Sequence, residues 1–147
     1  MHYLLTGGYG CIGAWIVKNL IDQGHQVSIY DIIEHTGRMA QIMPAEQIKE
    51  VEFVEGDISD GLHFTRVVGD LGITHIIHLA GLQVPVCRAN PIKGAMVNVI
   101  GTLNVFEAAR IHSDTIKRVV YASSAAVYGM DEDYEAGPVG NDVIMKP

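Results

Sequence analysis

The sequence has 147 residues, a hydrophobic fraction of 48%, a charged fraction of 18% and a formal net charge of −7. This length suits one domain, and the composition excludes a disordered chain. The negative charge argues against a surface that binds nucleic acid or an anionic membrane. The apolar runs are interrupted by polar residues well before they reach the length of a membrane span.

The first residues lack the basic segment of a secretory signal, since Lys18 is the first Lys or Arg in the chain. The two cysteines, Cys11 and Cys87, lie far apart and show no metal-ligand spacing. We therefore expect reduced thiols, no metal site and a cytoplasmic protein.

Short apolar runs alternate with amphipathic segments along the chain, without an internal repeat. The apolar runs predict five strands, at residues 2–6, 26–30, 51–54, 74–79 and 118–122. The amphipathic segments predict helices at residues 11–23, 60–72 and 90–112, with Ser59 or Asp60 as the cap of the second. Residues 33–50 and 123–147 are predicted as looser connections.

Strands separated by helices imply right-handed crossovers and a parallel sheet covered on both faces. The predicted fold is α/β, a doubly wound (Rossmann) sheet with five strands in the order 3-2-1-4-5, and residues 1–147 form one domain. Ligands bind such a sheet at the carboxyl ends of the strands, where the order reverses. This rim should carry Gly7 to Gly13, Asp31, Asp57, Ala80-Gly81 and Ser123-Ser124.

Apolar spacing also predicts which helix residues face the core. These are Ile12, Ile16 and Leu20 in the first predicted helix, and Met96, Val97, Ile100, Leu103 and Phe106 in the last. His75 and His78 are three apart on a strand and point to opposite faces, which favours packing or hydrogen bonding over a shared metal.

A glycine-rich stretch joins the first strand to the first helix, and it reads Thr6-Gly7-Gly8-Tyr9-Gly10-Cys11-Ile12-Gly13. The early glycines permit a tight turn and leave no Cβ between backbone and phosphate, and Gly13 lets the helix pack closely on the strand. The helix start presents free N–H groups and a partial positive charge to a diphosphate. Strand, glycine loop and helix in this order predict a dinucleotide site.

Asp31 ends the second predicted strand, roughly 20 positions past the glycines. A carboxylate there would accept hydrogen bonds from the adenosine ribose hydroxyls, and it would repel a 2′-phosphate by about 1–4 kcal/mol at ~4 Å. No Lys or Arg lies within the glycine loop, and Arg38 follows several residues downstream. These features predict NAD rather than NADP. The alternative for Asp31 is a turn residue that ends a strand.

Several motifs together resemble the extended short-chain dehydrogenase/reductase family, especially its NAD-dependent sugar-nucleotide epimerases and dehydratases of the UDP-glucose 4-epimerase kind. The resemblance covers nearly the whole chain and implies NAD as the cofactor. The matching segments are residues 6–13 (TGGxGxxG), 56–58 (GD(I/V)), 78–81 (HLAA, with Gly81 in place of alanine), 98–102 (NxxGT) and 121–129 (S(S/T)xxVYG).

The same resemblance implies roles for individual residues. Asp57 and Ile58 would meet the adenine, Gly81 would lie near the nicotinamide, and Ser124 would be the catalytic serine. The cofactor-binding set becomes Gly7, Gly10, Cys11, Ile12, Gly13, Asp31, Asp57, Ile58, Leu79, Ala80, Gly81, Asn98 and Ser123. A nucleotide sugar would be the substrate of the intact enzyme. The segment 90–112 resembles the family's dimer-forming helix, whose usual partner helix is missing, so a homodimer stays an open alternative.

One departure from the family concerns proton transfer. The family's YxxxK pair is missing, because the residues four positions after Tyr121, Tyr128 and Tyr134 are Ala125, Glu132 and Pro138. A tyrosine acts as a base at neutral pH only if a nearby cation lowers its pKa, and losing such help costs about 10²–10⁴ in rate. We therefore expect the NAD-binding portion of a longer epimerase or dehydratase, which binds NAD but is inactive alone. The last strand would then be an exposed edge that favours self-association.

Two alternatives remain at this point. One is a fragment of an NADP-dependent carbonyl reductase of the same superfamily, against which Asp31 argues. The other is a non-catalytic dinucleotide-binding or sensing module that never carried a YxxxK pair. Simpler roles also exist for single residues: Ser124 as a turn or cap residue, Cys11 as a small filler, Asn98 as a partner for buried backbone, and residues 131–135 as a solvated acidic loop.

Overall fold

The computed structural model describes residues 1–134 and 137–145. Within these residues the strands form one parallel sheet in the order β3-β2-β1-β4-β5, as the sequence predicts. Each predicted strand end lies within one residue of the observed one. The strands are β1 His2–Thr6, β2 Gln26–Asp31, β3 Glu52–Glu55, β4 His75–His78 and β5 Arg118–Tyr121.

Helices lie on both faces of this sheet. They are α1 Cys11–Asp22, α2 Ala45–Ile48, α3 Gly61–Asp70, α4 Val84–Ala89, α5 Pro91–Ala95 and α6 Gly101–Ile111. A π-helical turn, Met96–Ile100, joins α5 to α6 and makes one long helix of the predicted third segment. Short 3₁₀ turns occur at Met39–Gln41, Ala125–Tyr128 and Asp131–Asp133. Of the predicted C-terminal loop, Glu135, Ala136, Lys146 and Pro147 lie outside the described residues.

Side-chain caps fix two of the helix starts where the sequence predicts them. The Asp60 carboxylate accepts a hydrogen bond from the His63 amide at 3.0 Å, and the Asn90 side chain accepts one from the Lys93 amide at 3.0 Å. Such caps satisfy N–H groups that the first helical turn leaves free. The short helix α4 was not predicted; its Pro85 lies in the first helical turn, where proline is tolerated.

The alternation of side chains along β1 divides the apolar core in two. Leu5 packs with Val17 of α1 on one face of the sheet. Leu4 packs with Phe64 of α3 and Val105 of α6 on the other face. The two cores hold the carboxyl ends of β1 and β4 side by side, which is where the site lies.

The predicted core face of α1 is correct only in part, since Ile16 and Leu20 pack against the core and Ile12 does not. Ala14, Val17 and Ile21 are buried, while Ile12 is 66% exposed, and Ile16 and Leu20 are only partly buried. The cause is Gly13: a Cβ at this position would lie 2.6 Å from the carbonyl oxygens of Gly7 and Gly8. The glycine face of the helix must therefore turn towards the sheet, and Ile12 is left exposed.

The predicted core face of α6 and the π-turn is also wrong in large part. Exposed fractions are 41% for Met96, 38% for Ile100, 56% for Leu103 and 40% for Phe106, and only Val97 packs partly against the core. The helix instead buries a face that begins at Gly101, where it comes close to Ile58. A Cβ on Gly101 would lie 2.8 Å from the Ile58 side chain, so no larger residue fits there. Val105 and Ala108 continue this buried face.

Strand β5 forms one end of the described sheet. Val120 and Tyr121 are 49% and 55% exposed, and Tyr121 packs edge-on against Phe106 of α6 with ring centres 5.3 Å apart. The strand is thus exposed as predicted. Self-association through this edge stays a prediction.

The two faces of α6 make a direct test possible. Val105→Ala is expected to lower the free energy of unfolding by about 2 kcal/mol, because it removes two fully buried methyl groups and leaves a cavity. The matched variant Leu103→Ala should change it by less than about 0.5 kcal/mol, since Leu103 is exposed. Chemical denaturation at one protein concentration measures both values. A larger loss at Leu103 would contradict the observed orientation of α6.

Candidate functional site

A cleft of about 290 Å³ opens at the carboxyl ends of β1, β2 and β4. This volume is close to the lower end of the range for ligand sites, about 300–1,000 Å³. The cleft lies where the strand order reverses, which is the position the sequence predicts. Eight of the predicted site residues line it: Gly7, Gly10, Asp31, Asp57, Ile58, Leu79, Ala80 and Gly81.

The glycine loop forms one wall of the cleft, and two of its glycines are required by close contacts. Gly7 has φ +69°, and a Cβ there would lie 2.7 Å from the amide nitrogen of Ala80. The loop closes on itself through a hydrogen bond from the Gly10 amide to the Gly7 carbonyl at 3.1 Å. Gly13 sits below this turn, in contact with backbone. The result is a backbone cradle without side chains.

Helix α1 begins at this cradle. Its N-cap is Gly10, which has no side chain that could satisfy the first amides, and its first turn holds no acidic residue. The start of a helix carries free N–H groups and a partial positive charge. The arrangement can accept a phosphate group without displacing any side chain.

Asp31 ends β2 on the opposite wall. Its carbonyl accepts a hydrogen bond from the Gly56 amide at 2.9 Å, and its Oδ1 accepts one from the Ile32 amide at 2.8 Å. Burial raises the pKa of the Asp31 carboxyl. A partly desolvated carboxylate at this place can accept hydrogen bonds from a sugar diol.

Asp57 and Ile58 follow β3 and form the floor beyond Asp31. Oδ1 of Asp57 accepts hydrogen bonds from both the amide and the hydroxyl of Ser59, each at 2.8 Å. The Ile58 carbonyl accepts one from the side chain of Asn104 in α6 at 2.8 Å, and the Ile58 side chain packs over Gly101. The turn is therefore held from the helix side.

A buried histidine links the end of β1 to the long helix. The Thr102 hydroxyl donates to the Asn98 carbonyl at 2.9 Å, so it must accept from Nε2–H of His78 at 3.0 Å. Nδ1 of His78 then accepts from the Thr6 hydroxyl at 2.6 Å, and Thr6 accepts from the Ala80 amide at 3.2 Å. This network requires neutral His78, and burial lowers the pKa of its imidazole. The predicted hydrogen-bonding role of His78 is confirmed.

Asn98 holds the loop that follows β4. Its Oδ1 accepts from the Leu82 amide at 2.7 Å and its Nδ2 donates to the Leu82 carbonyl at 3.0 Å. Asn98 lies in the π-helical turn, a deviation that is frequent at functional sites. The side chain therefore acts on backbone, which was the simpler of its two predicted roles, and it does not line the cleft.

Ser124 lies beside the cleft and not in it. It lines a second, more open hollow together with Asn98, Cys87 and Leu82. Its Oγ accepts a hydrogen bond from the Ala126 amide at 3.2 Å and caps the 3₁₀ turn that follows. Leu82 lines both hollows, so the two adjoin at this residue. The capping role foreseen for Ser124 is present, and a catalytic role stays a prediction.

The remaining predicted residues lie elsewhere. Cys11 and Ile12 flank an outer hollow with Trp15 on the far side of α1, so only their backbone groups face the loop. Ser123 is exposed in the connection after β5. Ser123-Ser124 follow β5, whose carboxyl end lies beside that of β4, so they lie at the predicted edge of the sheet, although neither residue lines the cleft.

Sequence reasoning missed six residues of the cleft, which are Tyr30, Ile32, Gly56, Leu82, Lys93 and Val97. Gly56 directly precedes Asp57, and Tyr30 directly precedes Asp31. Because side chains alternate between the two faces of a strand, the position of Asp31 was the available signal for Tyr30. Among the described residues that line the cleft, Lys93 carries the one positive charge. Its position follows from the Asn90 cap, which sets the start of the helix.

The described residues contain no group of three or more His, Cys, Asp or Glu side chains that could hold a metal ion. In residues 1–134 and 137–145, none of the helices combines the length and apolar character that crossing a bilayer requires.

The fold and the cleft define a class, a Rossmann domain of the short-chain dehydrogenase/reductase type. Residues 4–138 match the family described as GDP-mannose 4,6 dehydratase. The chain belongs to this family of NAD-dependent epimerases and dehydratases, which confirms the predicted resemblance.

Individual relatives agree with this assignment. The chain is 38% identical to a UDP-glucose 4-epimerase of Klebsiella pneumoniae, over 88% of this chain and 93% of that sequence. It is 35% identical to a UDP-glucose 4-epimerase of Mycolicibacterium smegmatis, over 100% of this chain and 45% of that protein. The structure of UDP-glucose 4-epimerase from Thermus thermophilus in complex with NAD superposes with a TM-score of 0.81 and 29% identity, over 100% of this chain and 45% of that one. The chain thus spans less than half the length of the last two relatives.

The histidine network makes the stability depend on pH. Because the pKa of His78 is lowered in the folded protein, its contribution to stability is present above the unfolded value of about 6.5 and is lost as the pH falls below it, by at most about 1.4 kcal/mol per pH unit. Denaturation of the protein and of His78→Gln between pH 7.5 and 5.5 measures this slope. The variant should show a smaller slope, and equal slopes would contradict a neutral His78.

Proposed function

We propose that residues 1–147 form an NAD-binding domain. The observation that carries this proposal is the meeting of the side-chain-free cradle at Gly7 and Gly10 with the Asp31 carboxylate in one cleft. The diphosphate would lie on the cradle and the start of α1, and the adenosine ribose hydroxyls would donate to Asp31. Asp57 and Ile58 would meet the adenine. Solved neighbours with NAD bound, such as the epimerase of Bifidobacterium longum with NAD⁺ and UDP, support this assignment.

The charges around the cleft favour NAD over NADP. A 2′-phosphate would approach the Asp31 carboxylate, which repels it. The guanidinium of Arg38, the next Lys or Arg after Asp31, donates to the Tyr9 carbonyl of the glycine loop at 3.4 Å. A carbonyl reductase that uses NADP is therefore the less favoured enzyme.

For the protein as a whole we propose an epimerase or dehydratase that acts on a nucleotide sugar. Bound NAD would supply transient hydride transfer. Ser124 would orient the sugar hydroxyl through Oγ from the neighbouring hollow, and the apolar residues of the cleft would exclude water. The sequence holds no YxxxK pair, so we expect the 147-residue chain to lack a tyrosine base and to be inactive alone.

A non-catalytic dinucleotide-binding or sensing module is the second candidate, because the cleft by itself supports dinucleotide binding and no chemical step. Such a module would bind NAD in the same cleft as the proposed enzyme, but it would catalyse no hydride transfer. Hydride transfer by a longer form of the protein that carries YxxxK after residue 147 would favour the enzyme.

Titration calorimetry with NAD and a hydride-transfer assay with UDP-glucose test the two parts of the proposal. The 147-residue chain should bind NAD in a saturable manner and more tightly than NADP, and should not turn over the sugar. Absence of NAD binding would overturn the cofactor assignment. Turnover by this chain would overturn the expected inactivity.

The state of Asp31 predicts how NAD binding depends on pH. Ribose hydroxyls donate to the ionised carboxylate, so affinity should fall as the pH falls through the raised pKa of Asp31. Asp31→Asn should bind NAD about tenfold more weakly at neutral pH and lose this pH dependence, since the charge-assisted bonds are gone. Calorimetry between pH 7.5 and 4.5 measures both effects. Asp70→Asn, an exposed carboxylate at the end of α3, is the control and should leave binding unchanged.

A further inference from the structure

Tyr30 is the largest fully buried side chain of the described core, with 1% exposure. It precedes Asp31 in β2 and lies beneath the cleft. Its ring meets Phe64 of α3 edge-on, with ring centres 5.1 Å apart. It also fills the space above Gly56, where a Cβ would lie 2.3 Å from the tyrosine hydroxyl. The backbone between β3 and Asp57 therefore rests directly on this ring.

The Tyr30 hydroxyl makes two hydrogen bonds under the adenine wall. It donates to the Asp57 carbonyl at 3.1 Å, and its oxygen lies 3.1 Å from Nδ1 of His63. A hydroxyl has one proton to donate, so His63 Nδ1–H must be the donor in the second contact. Burial, and then the negative charges of Asp60 and Asp57, raise the pKa of Tyr30 to about 12. The group is therefore a protonated donor at neutral pH.

The Asp57-Ile58 turn is held from two sides. Tyr30 holds the Asp57 carbonyl from the sheet, and Asn104 holds the Ile58 carbonyl from α6 at 2.8 Å. The Asp60 amide adds a third bond, to the Asp57 carbonyl at 2.9 Å. The carbonyl of Asp57 thus has two donors, and the one from Tyr30 is the link to the rigid sheet.

We propose that the Tyr30 hydroxyl is a positioning residue that sets the Asp57-Ile58 turn for the adenine base and thereby selects adenine over other purines. This inference rests on the proposed NAD site. Adenine offers an amino donor and a ring acceptor on one edge, which match a carboxylate and a backbone amide. Hypoxanthine offers the reverse pattern. Discrimination between adenine and hypoxanthine requires that the Asp57-Ile58 turn is fixed, because a turn that can shift adapts to either base. Tyr30 belongs to none of the motifs through which the chain resembles its family.

Tyr30→Phe separates the hydroxyl from the ring. The ring packing against Phe64 and Gly56 is retained, so cooperative thermal unfolding should persist. NAD affinity should fall about three- to tenfold, as expected for one lost hydrogen bond. The ratio of NAD affinity to the affinity for nicotinamide hypoxanthine dinucleotide should fall by a similar factor. A purely structural role would lower both affinities equally and leave the ratio unchanged.

Two further variants of the 147-residue chain complete the test by calorimetry. Tyr3→Phe is the control, because this tyrosine lies near the amino end of β1, away from the cleft, and its hydroxyl donates to the sulfur of Met1 at 3.7 Å. This variant should bind both dinucleotides as the unaltered chain does. His63→Leu removes the second partner of the Tyr30 hydroxyl. It should lower the ratio of NAD affinity to nicotinamide hypoxanthine dinucleotide affinity less than Tyr30→Phe does.

The outcomes separate this inference from the function on which it rests. NAD binding by the unaltered chain, with a lower base discrimination in Tyr30→Phe, supports both. NAD binding with equal discrimination in the unaltered chain, Tyr30→Phe and His63→Leu overturns the role of Tyr30 alone. Failure of the unaltered chain to bind NAD overturns the proposed function and this inference with it.

Discussion

The contact between Gly13 and the carbonyl oxygens of Gly7 and Gly8 is the constraint on which the site depends. No side chain fits there, since a Cβ would lie 2.6 Å from either oxygen. The contact fixes the rotation of α1, so that Val17 enters the core. It also holds the start of the helix, which has no side-chain cap, at Gly10 in the lining of the cleft. One missing methyl group thus determines both the packing of the helix and the place where an anion can bind.

The rest of the cleft is built from backbone that buried side chains hold in place. The Gly7 turn touches the backbone of Ala80, so the loops after β1 and β4 meet directly. Beneath them His78 joins the two strand ends to the long helix, and Asn98 returns from that helix to hold Leu82. The hydrogen bonds of His78 and Asn98 therefore stabilise the fold and also hold the loops that form the cleft. A substitution that breaks them should affect both the stability and the shape of the cleft.

The sequence predicts the features that local chemistry determines. The strands, the glycine loop and the acid at Asp31 follow from short apolar runs and residue types, and the right-handed crossover then fixes the strand order. The core face of α6 is predicted poorly, because apolar residues occur on more than one side of this helix. Its buried side is selected by the small Gly101, which approaches Ile58, and not by Leu103. Such close approaches between distant segments leave no periodic signal in the sequence, and the support of Asp57 by Tyr30 is invisible for the same reason.

The π-helical turn at Met96–Ile100 has a consequence for how this domain can change. A π-turn accommodates one additional residue within an otherwise regular helix. The segment before it, Pro91–Ala95, can therefore be shortened or lengthened at the turn while Gly101 and Val105 keep their contacts with the sheet. Asn98 lies in the turn itself, so an insertion or deletion there would re-aim the amide that holds the loop after β4. The helix thus divides at the π-turn into a half that packs on the core through Val105 and a half that packs on Cys87 of α4 through Gly94.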